Sequence, residues 1–269
     1  MLRRVLAASL AFVMVFGLAA QAAPKNSFRG SGTFKVGSQV APGVYVSTAR
    51  VTQSCYWARL SDLSGSFDSI IANEFGKGQQ VVEILESDAG IQVRRCQTFR
   101  KLGSLKPLKQ VPTEGIYVVG MQVPPGVYVS ATKVNKSCYW ARLSNFQGDI
   151  DGIISNENGK GQHIVEILES DVGFEVSGCA NFKPVTQLKP LVEIPSEGIY
   201  AVGQQIAPGT YTSTANSSSC YWARLSDFSG TVEGIIENDF TSGQQSITIE
   251  PTDIGFKTSG CGKWVLTSG

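Results

Sequence analysis

The sequence predicts an all-β protein: three tandem small β-sandwich or barrel-like modules, each with one internal disulfide, behind an N-terminal signal peptide. Three observations carry this. The heptapeptide CYWARLS begins at Cys55, Cys138 and Cys220, a period of 83 and then 82 residues. The chain has six cysteines, and the two in each copy are 41 positions apart. Short runs rich in β-branched and aromatic residues (GVYVSTA, DSIIANE, QQVVEILES) alternate with turn residues every 8–12 positions or so, and no stretch after the leader shows a 3.6-residue period.

The leader comes first. Arg3 and Arg4 precede an apolar run from Val5 to Ala20, and Ala20-Gln21-Ala22 fits a small-x-small cleavage site, so residues 1–22 read as a signal peptide. The run falls short of the roughly 20 apolar residues a membrane span needs. No transmembrane anchor is therefore expected, and the mature protein should be periplasmic, cell-surface or extracellular. The full chain has a net charge of +1, and removing the two leader arginines leaves −1. That balance argues against nucleic acid as a partner.

The modules follow at residues 29–102, 113–184 and 197–265. Each opens on an aromatic and a glycine (Phe34 and Gly37, Tyr117 and Gly120, Tyr200 and Gly203). A Pro-Gly turn leads to Tyr45, Tyr128 or Tyr211. CYWARLS follows, then a double isoleucine, an Asp-x-Gly at Asp88, Asp171 or Asp253, and the second cysteine. Proline-containing segments join the copies, as suits short, semi-stiff connections. Six or seven strands are expected per copy. About 80 residues bury barely enough surface for one core, so a covalent staple is expected. Equal spacing in three copies pairs Cys55 with Cys96, Cys138 with Cys179 and Cys220 with Cys261. Metal ligation is disfavoured, because no histidine accompanies the pairs.

The third copy orients one strand. In SITIEP, Ile247 and Ile249 alternate with polar residues. Their counterparts Val82, Ile84, Val165 and Ile167 should face the core, with Glu83 and Glu166 toward water. The tyrosines after Pro-Gly also point inward, while Val46, Val129 and Thr212 need not be buried.

In CYWARLS, Cys55, Trp57 and Arg59 share one parity; Tyr56, Ala58 and Leu60 share the other and are expected on the core face. Two readings of the Trp–Arg pair compete. In one, the indole shields the disulfide and the guanidinium caps the indole as a cation–π pair. In the other, Trp57, Arg59, Trp140, Arg142, Trp222 and Arg224 form a repeated ligand platform. The first is preferred, because buried aromatics beside disulfides are common in small sandwiches.

Other chemistry is thin. Asp88, Asp171 and Asp253 are weak calcium candidates; without a compact D-x-D-x-D-G loop they read better as turn formers. The single histidine, His163, matches Gln80 and Gln245 and reads as an exposed strand residue. No Gly-x-Ser-x-Gly elbow supports a triad. Neither a catalytic residue nor a cofactor is expected.

The pattern V-G-x-x-[IV]-x-P-G-x-Y, C-Y-W-x-R-L, I-I-x-N, D-x-G-F and a final Cys resembles an uncharacterised repeat module of exported, notably actinobacterial, bacterial proteins. The likeness implies export and modularity and brings no ligand or activity. Copy one departs from it at Ile91, where the others have Phe174 and Phe256, and at Arg95, where they have Gly178 and Gly260. The expected function is non-enzymatic binding or scaffolding at the cell envelope, with an envelope protein or polysaccharide as partner. A carbohydrate-binding array is the alternative, and a secreted hydrolase comes third.

Overall fold

The computed structural model describes residues 23–47, 53–215 and 218–268; the expected leader, residues 1–22, lies outside the described residues. Module 1 holds β1 (Ser27–Phe28), β2 (Gly32–Lys35), β3 (Gly43–Ser47), β4 (Cys55–Leu60), β5 (Ile70–Gly76), β6 (Val81–Ile84), β7 (Gly90–Arg94) and β8 (Phe99–Lys101). Module 2 holds β9 (Gly115–Val118), β10 (Gly126–Ser130), β11 (Ser137–Leu143), β12 (Ile153–Lys160), β13 (His163–Ile167), β14 (Gly173–Ser177) and β15 (Phe182–Pro184). Module 3 holds β16 (Glu197–Ala201), β17 (Gly209–Ser213), β18 (Cys220–Leu225), β19 (Ile235–Thr241), β20 (Ser246–Ile249), β21 (Gly255–Ser259) and β22 (Trp264–Ser268).

Each module is a sandwich of two antiparallel sheets. The front sheet carries the CYWARL strand (β2-β7-β4-β5, β9-β14-β11-β12 and β16-β21-β18-β19). The back sheet carries the strand after Pro-Gly (β1-β8-β3-β6, β13-β10-β15 and β20-β17-β22). Among the described residues the copies thus have eight, seven and seven strands. The extra strand of module 1, β1, brings Phe28 onto Phe99, with ring centroids 5.0 Å apart. Phe174 and Phe256 play this part on Phe182 and Trp264 in the other copies. Module 1 has buried Ile91 at that position, and the aromatic partner of Phe99 comes from Phe28 of the back sheet instead.

The double isoleucine is explained by a bulge. In every copy the ladder slips after the arginine: Arg59 faces Ala72 and Leu60 faces Ile70, so Ile71 is left without an opposite residue. The same slip occurs after Arg142 and Arg224. An inserted residue of this kind bends the strand and re-aims its neighbours. Here it puts Ile70 on the side of Leu60 while Ala72 stays on the side of Arg59.

Inside each sandwich, Tyr45, Val82, Ile84, Ile91 and Phe99 form one core with Cys55 and Trp57, and modules 2 and 3 repeat it. The inward tyrosines donate to backbone carbonyls four residues upstream: Tyr45 to Ala41 at 2.7 Å, Tyr128 to Pro124 at 2.8 Å, Tyr211 to Ala207 at 2.9 Å. A buried hydroxyl thereby keeps a partner while its ring fills the core.

Two further apolar clusters lie between modules. Val46 and Val81 of module 1 pack with Ile116, Val118, Ala141, Leu143 and Phe146 of module 2. Ile164 of module 2 packs with Ile199, Ala201, Ala223, Leu225 and Phe228 of module 3, and Val127 and Val129 pack against them. The back sheet of one module therefore lies on the front sheet of the next. This corrects two expectations. The Tyr/Ala/Leu face of CYWARLS is the seam face, and the Cys/Trp/Arg face is the module's own core. Val81 and Ile164, on the side expected to face water, are buried, and so is Val46, for which burial was not required. The connections are packed too. Leu105 joins the first seam, and Leu108 and Val111 join the core of module 2, where Val111 bridges Phe182.

Candidate functional site: the Trp–Arg hub and the seams

The three disulfides are Cys55–Cys96, Cys138–Cys179 and Cys220–Cys261. Two residues along each front strand, on the same inner face, Trp57, Trp140 and Trp222 are only 1%, 1% and 7% exposed. A ring with so little free surface offers no stacking face. The ligand-platform reading of Trp57, Arg59, Trp140, Arg142, Trp222 and Arg224 therefore gives way to a structural hub.

The arginines are not stacked on the indoles; they are held by carboxylates. Arg59 Nε and Nη2 donate to Asp88 at 2.8 and 2.9 Å. Arg142 does the same to Asp171 at 2.7 and 2.8 Å, and Arg224 to Asp253 at 2.7 and 3.0 Å. Each aspartate also accepts a backbone N–H three residues upstream, from Leu85, Leu168 or Glu250, at 2.9 Å. The Asp of Asp-x-Gly is thus a turn former, as expected, and also the counter-ion of the buried guanidinium. With both oxygens so engaged, Asp88, Asp171 and Asp253 are arginine partners in place of calcium ligands. A planar fork matched to a carboxylate needs arginine; lysine could not make both bonds.

The remaining nitrogen of the fork reaches across the seam. Arg59 Nη1 donates to the Gln147 carbonyl of module 2 at 3.0 Å, and Arg142 Nη1 to the Ser229 carbonyl of module 3 at 2.7 Å. The tryptophans reach across as well. A Cβ added at Gly148 would lie 2.3 Å from Trp57 Cη2, and one at Gly230 would lie 2.5 Å from Trp140 Cη2. Backbone bonds complete the seam: Glu83 N–H to Phe146 O and Glu166 N–H to Phe228 O, both 2.8 Å.

Sequence reasoning missed the glutamines of the seams. Gln79 and Gln122 exchange side-chain bonds of 2.8 and 2.9 Å across the first, and Gln162 and Gln205 bonds of 2.8 and 3.0 Å across the second. The available signal was a glutamine in fixed register in every copy: Gln39, Gln122 and Gln205 before the Pro-Gly turn.

Charge differs between the seams. At the second, Lys257 pairs with Glu157. At the first, the equivalent positions hold Glu175 and Glu74. Burial, then the neighbouring Glu74, pushes the Glu175 carboxyl up to about 8. His163 is a further correction: it is 2% exposed, and its Nδ1 accepts the Trp140 indole N–H at 3.2 Å. A side chain that exchanges with glutamine is here a buried acceptor, and burial holds its imidazole below the ordinary histidine range.

Fold and hub together define a tandem array of small disulfide-stapled β-sandwiches docked back to front, each seam built from the most strictly repeated residues. The chain belongs to the family described as Rv1352-like extracellular domain, whose model matches residues 26–100, 109–183 and 192–265. It is an extracytoplasmic repeat protein. Among the described residues no helix is long and apolar enough to cross a membrane. It is similar to the uncharacterized protein Rv1352 of Mycobacterium tuberculosis (strain H37Rv) and the uncharacterized protein Mb1387 of Mycobacterium bovis. Each is 30% identical over 89 residues, 28% of this chain and 72% of the relative. No solved structure matches the chain.

Proposed function

We propose that the protein is a non-enzymatic scaffold or binding protein of the cell envelope that acts as one stiff unit of three modules. The observation that carries this reading is the use of the invariant heptapeptide. Trp and Arg of CYWARLS in modules 1 and 2 reach the following module, Tyr and Leu in modules 2 and 3 meet the preceding one, and Tyr56 of module 1 lines an open groove. A chain built for independent binding beads would leave its repeated side chains outward and its linkers free; here both are packed. Rigid repetition suits spacing, or multivalent contact at fixed separation.

The test pairs amide nitrogen relaxation of the mature chain with envelope fractionation. A single rotational diffusion tensor for all three modules, and saturable retention on washed envelope fractions, are expected. Independent tumbling of the modules would overturn the stiff scaffold. Failure to be retained would overturn the envelope role. Turnover of glycoside, ester or peptide substrates, abolished by a point substitution, would overturn the non-enzymatic assignment.

A further inference from the structure

The two ends of the array are finished differently. Each internal seam joins an outgoing back sheet to an incoming front sheet. The outgoing faces of modules 1 and 2 present Val44, Val46 and Val81, and Val127, Val129 and Ile164. At the same positions module 3 has Thr210, Thr212 and Ser246. Glu237 stands where the other copies have Ala72 and Ser155, and it accepts the Arg224 Nη1 donor at 2.9 Å. In the other modules that donor goes to the next module's carbonyl. Beside a half-exposed Val265, the outgoing face of module 3 thus carries polar side chains at the three seam positions, and its arginine is satisfied within the module, in the manner of a capping repeat.

The first incoming face has not been closed in this way. Leu63 is 48% exposed, whereas its counterparts Phe146 and Phe228 are 5% and 9% exposed under the preceding module. Gly65, in the same left-handed turn as Gly148 and Gly230, has nothing within 4 Å of an added Cβ. Tyr56 and Ile70, whose counterparts pack into the two seams, line an apolar groove of about 510 Å³ with Phe67 and Phe75. Arg94 and Arg95 line it, and exposed Lys35 stands on the same sheet, where modules 2 and 3 have Ser177 and Ser259, Gly178 and Gly260, and Val118 and Ala201. Arg95 has φ 57°, a left-handed backbone that its glycine counterparts adopt without strain. An arginine is kept there against a backbone cost.

We propose that the free front sheet of module 1 is a docking surface for the outgoing face of a β-module of this family on another chain. That module is apolar at the positions of Val44, Val46 and Val81 and acidic where it meets Lys35, Arg94 and Arg95. The internal seams supply the geometry. The incoming strand N–H donates to the Leu63 carbonyl, the incoming arginine to the Ser64 carbonyl, and the incoming tryptophan covers Gly65. A second copy of this chain cannot be that partner, because its own outgoing face is closed. The inference rests on the scaffold reading and adds a direction to it: the array grows only at its N-terminal end.

The experiment opens the closed end of the full mature chain. A donor chain carries Thr210→Val, Thr212→Val, Glu237→Ser and Ser246→Ile, the residues of module 2 at those positions, together with Leu63→Glu to block its own incoming face. Mixed with the wild-type chain in sedimentation velocity, it should form a 1:1 complex and nothing larger. Wild-type chains alone, and donor chains alone, should stay monomeric. Leu63→Glu in the acceptor should abolish the complex, and Arg94→Glu should weaken it. A folded donor that leaves the wild type monomeric at the highest soluble concentration overturns the proposal. So does a complex that survives Leu63→Glu in the acceptor. If the full donor fails to fold, the lighter donor with Thr212→Val, Ser246→Ile and Leu63→Glu is judged by the same two outcomes. The relaxation test of the stiff scaffold does not involve the free face, so either reading can fail alone.

Discussion

Gly65, Gly148 and Gly230 occupy one turn in three copies, with φ of 80°, 76° and 75°. Alanine at any of them imposes the same left-handed backbone, a cost of about 1–2 kcal/mol. Only two of the three also press a methyl on a neighbour, the Trp57 ring at 2.3 Å and the Trp140 ring at 2.5 Å; at Gly65 nothing lies within 4 Å. Both rings are wedged in a core beside a disulfide and have little room to yield, so overpacking adds about 1–3 kcal/mol. Gly65→Ala should therefore cost about 1–2 kcal/mol, and Gly148→Ala or Gly230→Ala about 2–5 kcal/mol. The difference measures the seam, because the backbone term is common to all three. Peptide-resolved hydrogen exchange is the assay, with urea melts for the totals. The amides of Glu83 and Ile116 donate across the first seam to Phe146 and Gln79. They should lose protection in Gly148→Ala and keep it in Gly65→Ala. Equal losses in all three variants, or a protected Glu83 amide in Gly148→Ala, would refute the docking role of Trp57.

Three further outcomes are expected. Arg142→Met strands a buried Asp171 and should cost about 3–5 kcal/mol, with most of the loss recovered in Arg142→Met/Asp171→Leu. Arg224→Met, at a partly exposed site whose third donor bonds Glu237 of its own module, should cost less in the same urea titration. Reduction, or Cys138→Ser with Cys179→Ser, removes a crosslink of 41 residues and should lower the stability of module 2 by about 4 kcal/mol in module-resolved exchange. Two groups set opposite pH slopes in thermal melts. Glu175 binds in the fold a proton that the unfolded chain releases above 4.5, so stability should fall as pH rises toward about 8, and Glu175→Gln should flatten that slope. His163 is held neutral in the fold, so stability should fall as pH drops below 6.5, and His163→Gln should remove that dependence.

The modular plan was legible in the sequence for a local reason. A disulfide 41 residues long, a Pro-Gly turn and an Asp-x-Gly turn are short-range constraints, and three copies repeat them in one register. The inward positions of Tyr45, Val82 and Ile84 were also readable, because SITIEP in the last copy leaves one face polar. That same polar face is a feature of the third copy alone. Its Ser246 marks as solvent a side that Val81 and Ile164 bury. Alternation separates two faces of a strand but does not say which of two buried faces belongs to the module and which to the seam, so Tyr, Ala and Leu of CYWARLS were placed on the wrong one. The partners of Arg59 and Arg142 were out of reach for a related reason: the aspartate lies 29 residues away, and the carbonyl 88 and 87 residues away in the next module. His163 looked exposed because glutamine replaces it, yet Gln80 is itself only 1% exposed. The sequence by itself determined three stapled β-modules and the strand pattern within each. Only the tertiary structure decided that the modules dock, because docking is made by side chains brought together from separate repeats, and no periodicity within one repeat records what the next will cover.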